Sequence, residues 1–455
     1  LRDDLVELYL SNVRYRELLE GDLLAQLGSI EKGRRRLVDF CDEYGVDEVE
    51  RYVDEMIAYA DRRMSDAVAA MPDGEYIGEG WIDSDGHETE HIPIRVKVTV
   101  AGDRIHVDYH GSGPQARGGV NGSYATAQAA GAIPFLHYID PDIPHNHGCI
   151  THIEVEAEEG TICWARFPAS TSVATIVPSD MMQDAINKAM AAAVPELVPA
   201  GGCRCANIPQ FAGIDDRTGE SWGAMLFNNS GGSGAVRGFD GWPLWESQAA
   251  AGALKAQSIE QIELLYPLLI EQWEIEPDSM GFGQWNGGPG NRFVVRPVAG
   301  SAHCITFGDG CANPPHGVLG GTPAIGGGQF VENRATGKRR FAGASGHLLV
   351  GPDEVWVGVS TGGGGYGNPL DRDPDLVRRE VVDGTVTRSA AHDVFGVVLT
   401  DDPEEPRLDA EKTERRRAEL RATPRPLVDP TTPGAATWIA ENLRDGDEYL
   451  LNPSP

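Results

Sequence analysis

The chain has no run of eighteen apolar residues, so no segment reads as a membrane-spanning helix, and no short apolar stretch with a cleavage site marks a signal peptide. It has no G-K-S or G-K-T, which removes the usual phosphate-cradling loop and its lysine. It is short of positive charge. Lys and Arg number 38 against 69 Asp and Glu, and the net charge of −31 disfavours nucleic acid and anionic membranes as partners. Its seven cysteines are odd in number and scattered, which points to a reducing, cytoplasmic setting rather than a disulfide framework. It also lacks an initiator methionine. LRDDLVELYLSN starts inside a helical pattern, so either residues precede Leu1 or the chain was processed.

What the chain has in excess is glycine, 56 residues, with 30 prolines. With 41% hydrophobic and 24% charged residues over 455 positions, this composition predicts a globular α+β protein of two or three domains, sheet-rich and full of glycine loops. Residues 1–73 read as a helical segment. Leu5, Leu8, Val13, Leu18, Leu19, Leu23, Leu24 and Leu27 recur at helical spacing, Gly45 ends one helix, and a third runs from Val46 to Met71 before Pro72-Asp73-Gly74. Residues 74–200 read as an α+β domain. Ile92, Ile94, Val96, Val98 and Val100 alternate, Gly102-Asp103 turns, and Ile105, Val107 and Tyr109 return. Cys149 to Pro168 reads as strand, and Ser179 to Ala193 as a helix with Ser179 as its cap. Residues 201–400 read as a glycine-rich sheet domain with C-terminal helices. In its last part, VWVGVS is a strand and Gly362–Gly367 a glycine loop. Asp373-Pro374 starts a helix ended by Gly384, Thr387 caps a second, and a closing strand runs to Leu399. Residues 401–455 read as a tail lying on a surface or on a partner, with a helix over Asp409 to Arg421.

Four places could carry chemistry. His145 and His147 form an H-x-H; on a strand, positions i and i+2 share a face, so both imidazoles could meet one metal, the alternative being a polar loop. Cys203-x-Cys205 has no second pair, and buried thiols are its other reading. Asn228 and Asn229, with Gly231, Gly232 and Gly234, could present N–H groups to a developing oxyanion, with Asp240 orienting a water; the alternative is a loop that lets strands pack closely. His316, held behind Pro314-Pro315, suits general acid–base work or is an ordinary loop histidine.

GGGGYGNPLDRDPDLVRREVVDG followed by TRSAAHDVFGVVL resembles the C-terminal signature of the hydantoinase B/oxoprolinase family. WGAMLFNNSGGSGAVRGFDG, YPLLIEQWEIEPDSMGFGQWNGGPG and GDGCANPPHGVLGG are similar to further blocks of the family in the same order, and the resemblance runs from Leu1 to about Leu399. It implies the B-type subunit of an ATP-dependent cyclic-amide hydrolase acting on a hydantoin, 5-oxoproline or lactam. ATP would sit on an A-type partner. A divalent metal, Zn or Mn, would be held by an N-terminal segment whose motifs are absent here, so its ligands lie outside this chain, on a separate N-terminal chain or a segment since cut or trimmed. One block departs from the family. WPLWESQAAAGALKAQSIEQIE stands where hydrolase members carry a histidine and an NTP-E pattern, which leaves an acetone- or acetophenone-type carboxylase subunit as a second reading. A non-catalytic scaffold is the third.

Overall fold

A computed structural model describes residues 2–13, 15–87, 90–204, 208–245, 248, 255–342, 345–423 and 447–450. The chain divides into two compact units, Leu1–Met64 with Pro141–Thr151, and Ser65–Asp140 with His152–Pro455.

The first unit is built on α1 (Asp3–Leu10), α2 (Arg16–Tyr44) and the start of α3 (Val46–Ala69). Gly45, at φ +86°, separates the two long helices. Both leave large apolar side chains exposed, among them Leu24, Leu37 and Phe40 on α2 and Tyr52, Met56 and Tyr59 on α3.

Among the described residues, the second unit holds three sheets. β1 (Gly74–Ser84), β2 (Glu90–Ala101) and β3 (Arg104–Asp108) are antiparallel, and β4 (Ile153–Glu156) adds parallel to β3. The hairpin at Gly102 is the one its sequence predicts, with Ala101 opposite Arg104. Of the stretch 149–168 expected as strand, only β4 forms; beyond it the chain turns at Gly160, φ +94°. Helices α4 (Tyr124–Tyr138) and α5 (Pro178–Met190) follow β3 and β4 respectively. α5 starts at Pro178 with Val177 before it, so Ser179 lies inside the first turn and does not cap.

The other two sheets have four and six strands. The first comprises β5 (Ile208–Ile214), β6 (Ser221–Met225), β9 (Ala302–Phe307) and β12 (Gly346–Val350). The second comprises β7 (Leu268–Ile275), after the short α6 (Ile259–Leu265), then β8 (Asn291–Pro297), β10 (Gly328–Asn333), β11 (Arg339–Ala342), β13 (Glu354–Val359) and β14 (Glu448–Leu450). Alternate residues of both meet in one core: Phe211, Trp222 and Cys304 from the first pack with Phe293, Val331 and Trp356 from the second. Trp356 is fully buried, edge-on to Phe211, and its indole N–H donates to Gln329 Oε1 at 3.0 Å. An aromatic of this size needs such a partner when buried.

After β13 the chain enters the glycine loop and then α7 (Pro374–Asp383) and α8 (Arg388–Asp393), followed by α9 (Ala410–Ala422). Asp373 caps α7 with Pro374 at its first position, Gly384 ends it in the left-handed region, and Thr387 caps α8, as the sequence implies. The expected closing strand to Leu399 is not a strand. Val397 and Leu399 pack instead in a small apolar cluster with Val377 and Phe395, and one bridge joins Leu399 to Leu408. Most of the tail beyond Thr423 lies outside the described residues.

Three glycine segments meet edge to edge. Gly232 N–H donates to Thr361 O at 3.1 Å, Gly288 N–H to Ser233 O at 2.8 Å, and Gly363 N–H to Gly288 O at 2.8 Å. The fit leaves no room for a side chain. A Cβ on Gly363 would lie 1.8 Å from Ser233 O, and one on Gly232 1.9 Å from Gly288 O. Backbone cannot yield as a side chain does, so Gly363→Ala should destabilise the protein by about 3 kcal/mol or more. Gly21→Ala on α2, where a Cβ meets nothing within 4 Å, should be neutral or stabilising by about 1 kcal/mol. Urea unfolding of the two variants beside the wild type checks both, and equal midpoints would refute the tight packing.

Candidate functional site

α5 is apolar on one side through Met181, Met182, Ala185, Ile186 and Met190, and polar on the other through Asp180, Asp184, Asn187 and Lys188. Both sides are buried almost throughout, so the polar one must find partners inside the protein. Asp184 Oδ2 lies 2.8 Å from the Arg204 guanidinium and 3.6 Å from His316 Nδ1, and Asp184 Oδ1 accepts from Gln248 Nε2 at 2.8 Å. Asn187 donates to Gln248 Oε1 at 3.1 Å and accepts from the Tyr138 hydroxyl. Burial alone would raise the Asp184 carboxyl, but Arg204, then His316 and Lys188, override it and hold it well below the usual carboxylate range. Burial pushes the His316 imidazole below its usual value against the pull of Asp184, so it is neutral at pH 7. Burial brings Lys188 down to about 8, with Arg204 adding to the effect and Asp184 and Glu79 opposing it.

Gln248 joins this buried cluster to a cavity of about 630 Å3, whose wall it forms in part. The rest of the wall is mostly apolar, from Leu197, Val236, Phe239, Trp242, Leu244 and Trp245, with the backbone of Ala200, Gly202 and Gly234 between them. Its further polar side chains are His137, at the end of α4, Ser233 and Asp240. The glycine packing shapes this wall. Ser233 and Trp242 exchange backbone and side-chain hydrogen bonds, Trp242 N–H to Ser233 Oγ at 2.7 Å and Ser233 N–H to Trp242 O at 2.9 Å. His316 stands just behind it, since Gly201 N–H donates to His316 O at 2.9 Å and a Cβ on Gly201 would lie 2.8 Å from His316 Nδ1. Both ring nitrogens of His316 are buried without a hydrogen-bond partner among the described residues.

The residues singled out in the sequence fall in different places. His316 belongs to the buried cluster, and Asp240 to the cavity wall. Asp240 is committed to Arg372, at 2.7 and 2.8 Å, and accepts from Asn286 N–H at 2.7 Å, so its carboxylate ties the wall to α7. Arg372 also holds Glu380 of α7 at 2.6 Å. Asn228 is buried and donates to Gln257 O at 2.9 Å, and Asn229 is buried beside it. Of the donors the oxyanion reading names, Gly232 is engaged elsewhere, as are its neighbours Ser233 and Ala235. The N–H groups of Gly232, Ser233 and Ala235 donate to Thr361, Trp242 and Gly364 carbonyls, so they are spent on the fold. Cys203 is buried, with its thiol donating to Trp245 O at 2.9 Å; Cys205 lies outside the described residues.

His145 and His147 are not on a strand. Asn146 accepts from Gly148 N–H and caps a single 3-10 turn over His147–Cys149, which removes the shared-face argument for the pair. Among the described residues they gather no third ligand, and the one group of three that could hold a metal is Asp108, His110 and Glu156, whose donor atoms lie within 4.8 Å of one another. Asp108 and Glu156 stand opposite each other on β3 and β4. One imidazole and two carboxylates are donors that Zn or Mn accepts.

Asp184, Arg204 and Gln248 escaped the sequence reading. A helix with an apolar and a polar side predicts that the polar side faces water, and only the tertiary packing buries both.

The model of the hydantoinase B/oxoprolinase family matches residues 1–369. The chain is 32% identical over 407 residues to the caprolactamase subunit beta of Pseudomonas jessenii, covering 88% of this chain and 69% of that one. It is 24% identical over 489 residues to the acetophenone carboxylase delta subunit of Aromatoleum aromaticum, covering 99% and 70%. The crystal structure of the ATP-dependent caprolactamase from Pseudomonas jessenii superposes with a TM-score of 0.82 at 30% identity, covering 92% of this chain and 72% of that one. With the glycine-built sheets, the cavity and these matches together, the chain belongs to the hydantoinase B/oxoprolinase family.

Proposed function

We propose that this chain is the B-type subunit of an ATP-dependent cyclic-amide hydrolase and that the cavity beside Gln248 holds the ring. The observation that carries the reading is the joining of an apolar cavity to a buried, ionised Asp184 and a neutral His316. An amide is a poor electrophile. An ATP-binding partner subunit would transfer the γ-phosphoryl group to the amide oxygen and release ADP. Water then adds to the carbon, the ring nitrogen takes a proton and leaves as the C–N bond breaks, and a second water hydrolyses the resulting acyl phosphate to carboxylate and phosphate. A neutral histidine with a carboxylate 3.6 Å from its ring is suited to take the proton of that water. The exposed apolar residues of α2 and α3 offer the partner a face to dock on. Asp108, His110 and Glu156 are the residues of this chain that would hold a divalent ion, which would supply Lewis-acid or structural stabilisation.

The carboxylase reading keeps one observation of its own. The segment that departs from the hydrolase pattern begins at Trp242 and supplies Trp242, Trp245 and Gln248 to the cavity, so the departure falls on the wall that would select the substrate. Bicarbonate-dependent ATP turnover with a ketone would decide for it.

Given the partner subunit, ATP and a panel of cyclic amides, the chain should open a ring with one phosphate released per ring. Failure to release phosphate with any ring of the panel would remove the proposal. His316→Ala should lower kcat by about 100- to 10,000-fold, the range of general base catalysis, and flatten the acid limb of the pH–rate profile. A change in stability alone would leave that limb in place.

The buried cluster sets a second pH dependence. The folded chain releases the Lys188 proton near pH 8 and the unfolded chain near 10.5, so between these values the unfolded state binds more protons and stability rises with pH. Relative to Lys188→Met, the wild type should gain up to about 3 kcal/mol of unfolding free energy over that window. A difference that stays flat from pH 7 to 10.5 would contradict the assignment.

A further inference from the structure

We infer that the cavity selects an uncharged, largely apolar ring and discriminates against rings that carry a carboxylate. The inference rests on the reading that the cavity holds the substrate, and it adds the chemical class. Among the described lining residues there is no lysine or arginine. Asp240 is the one carboxylate there, and it is already joined to Arg372, whose side chain is 1% exposed and shared with Glu380. The guanidinium therefore has two carboxylates and no charge to spare. The next cation behind the wall, Arg204, is bound to Asp184. Arg237, on the turn between Val236 and Phe239, is exposed and does not line the cavity.

A carboxylate entering this half-open space would lose part of its water, meet no lysine or arginine among the described lining residues, and feel a chain of net charge −31. Trp242, Trp245, Phe239 and Leu197 offer instead what an alicyclic or aryl ring can use: flat and branched apolar surface. Gln248 and Ser233 place polar atoms at the wall, where a neutral amide could be oriented.

The test uses ring pairs that differ only in a carboxylate: 2-pyrrolidinone against 5-oxoproline, and δ-valerolactam against 6-oxopiperidine-2-carboxylate. For the complex with its ATP-binding subunit, kcat/KM should favour the neutral member by about 100-fold, the cost of one uncompensated buried charge. Isothermal titration of the same pairs onto the chain alone should show the same order. Leu197→Arg, which puts a cation into the lining, should raise kcat/KM for the carboxylated member by about 10-fold or more and lower it for the neutral one. Arg237→Ala should leave the ratio unchanged. Turnover that favours the carboxylated member overturns the inference while leaving the hydrolase reading intact. Binding of the neutral member without turnover of any ring removes the hydrolase reading and leaves the inference standing. Neither binding nor turnover defeats both.

Discussion

The structure depends on how closely its glycine backbones approach one another. Segments around Gly232, Gly288 and Gly363 exchange N–H to carbonyl bonds at 2.8 to 3.1 Å, at distances where a methyl group would overlap a carbonyl oxygen. This contact has two consequences. It spends the Gly232, Ser233 and Ala235 amides on the fold, and it brings Ser233 and Gly234 to the cavity while holding His316 directly behind Gly201. The glycines thus act as architecture. Their chemistry lies in where they put other residues.

What they put there is a charged cluster that survives burial because it is balanced. Asp184 faces Arg204, His316 and Gln248 together, and removing any one would leave a buried group without its partner. The same arithmetic holds the cavity's outer wall. Arg372, almost wholly buried, joins Asp240 of the wall to Glu380 of α7, and burial pushes the Glu380 carboxyl up while Arg372 pulls it down. In a chain of net charge −31, both clusters place their few buried arginines where carboxylates converge.

Local rules carried far in reading this chain. Asp373-Pro374 and Gly384 bounded α7, Thr387 capped α8, Gly102 turned a hairpin, and period-two alternation marked β2 and β13. Each of these is decided within a few residues. Other readings missed a competitor, in some cases a neighbouring residue and in others one far along the chain. His145 and His147 fell on a turn because Asn146 caps Gly148, and Ser179 gave up its capping place to the turn that ends at Val177 and Pro178. The glycine loop's amides were legible as donors, but not that those of Gly232, Ser233 and Ala235 go to carbonyls of Thr361, Trp242 and Gly364. His316 was legible as a well-held histidine. Its partner Asp184 sits 132 positions earlier on a helix whose sequence gives no sign that both faces are buried.

The account stands on the cavity between Trp242 and Gln248 as the place where the ring lies. A crystal structure of the chain with its ATP-binding partner and a soaked neutral lactam tests this most directly. The account predicts density for the ring against Trp242 and Trp245, with its amide edge towards Gln248 and Ser233. A lactam bound elsewhere in the complex, with this cavity filled only by solvent, would contradict it.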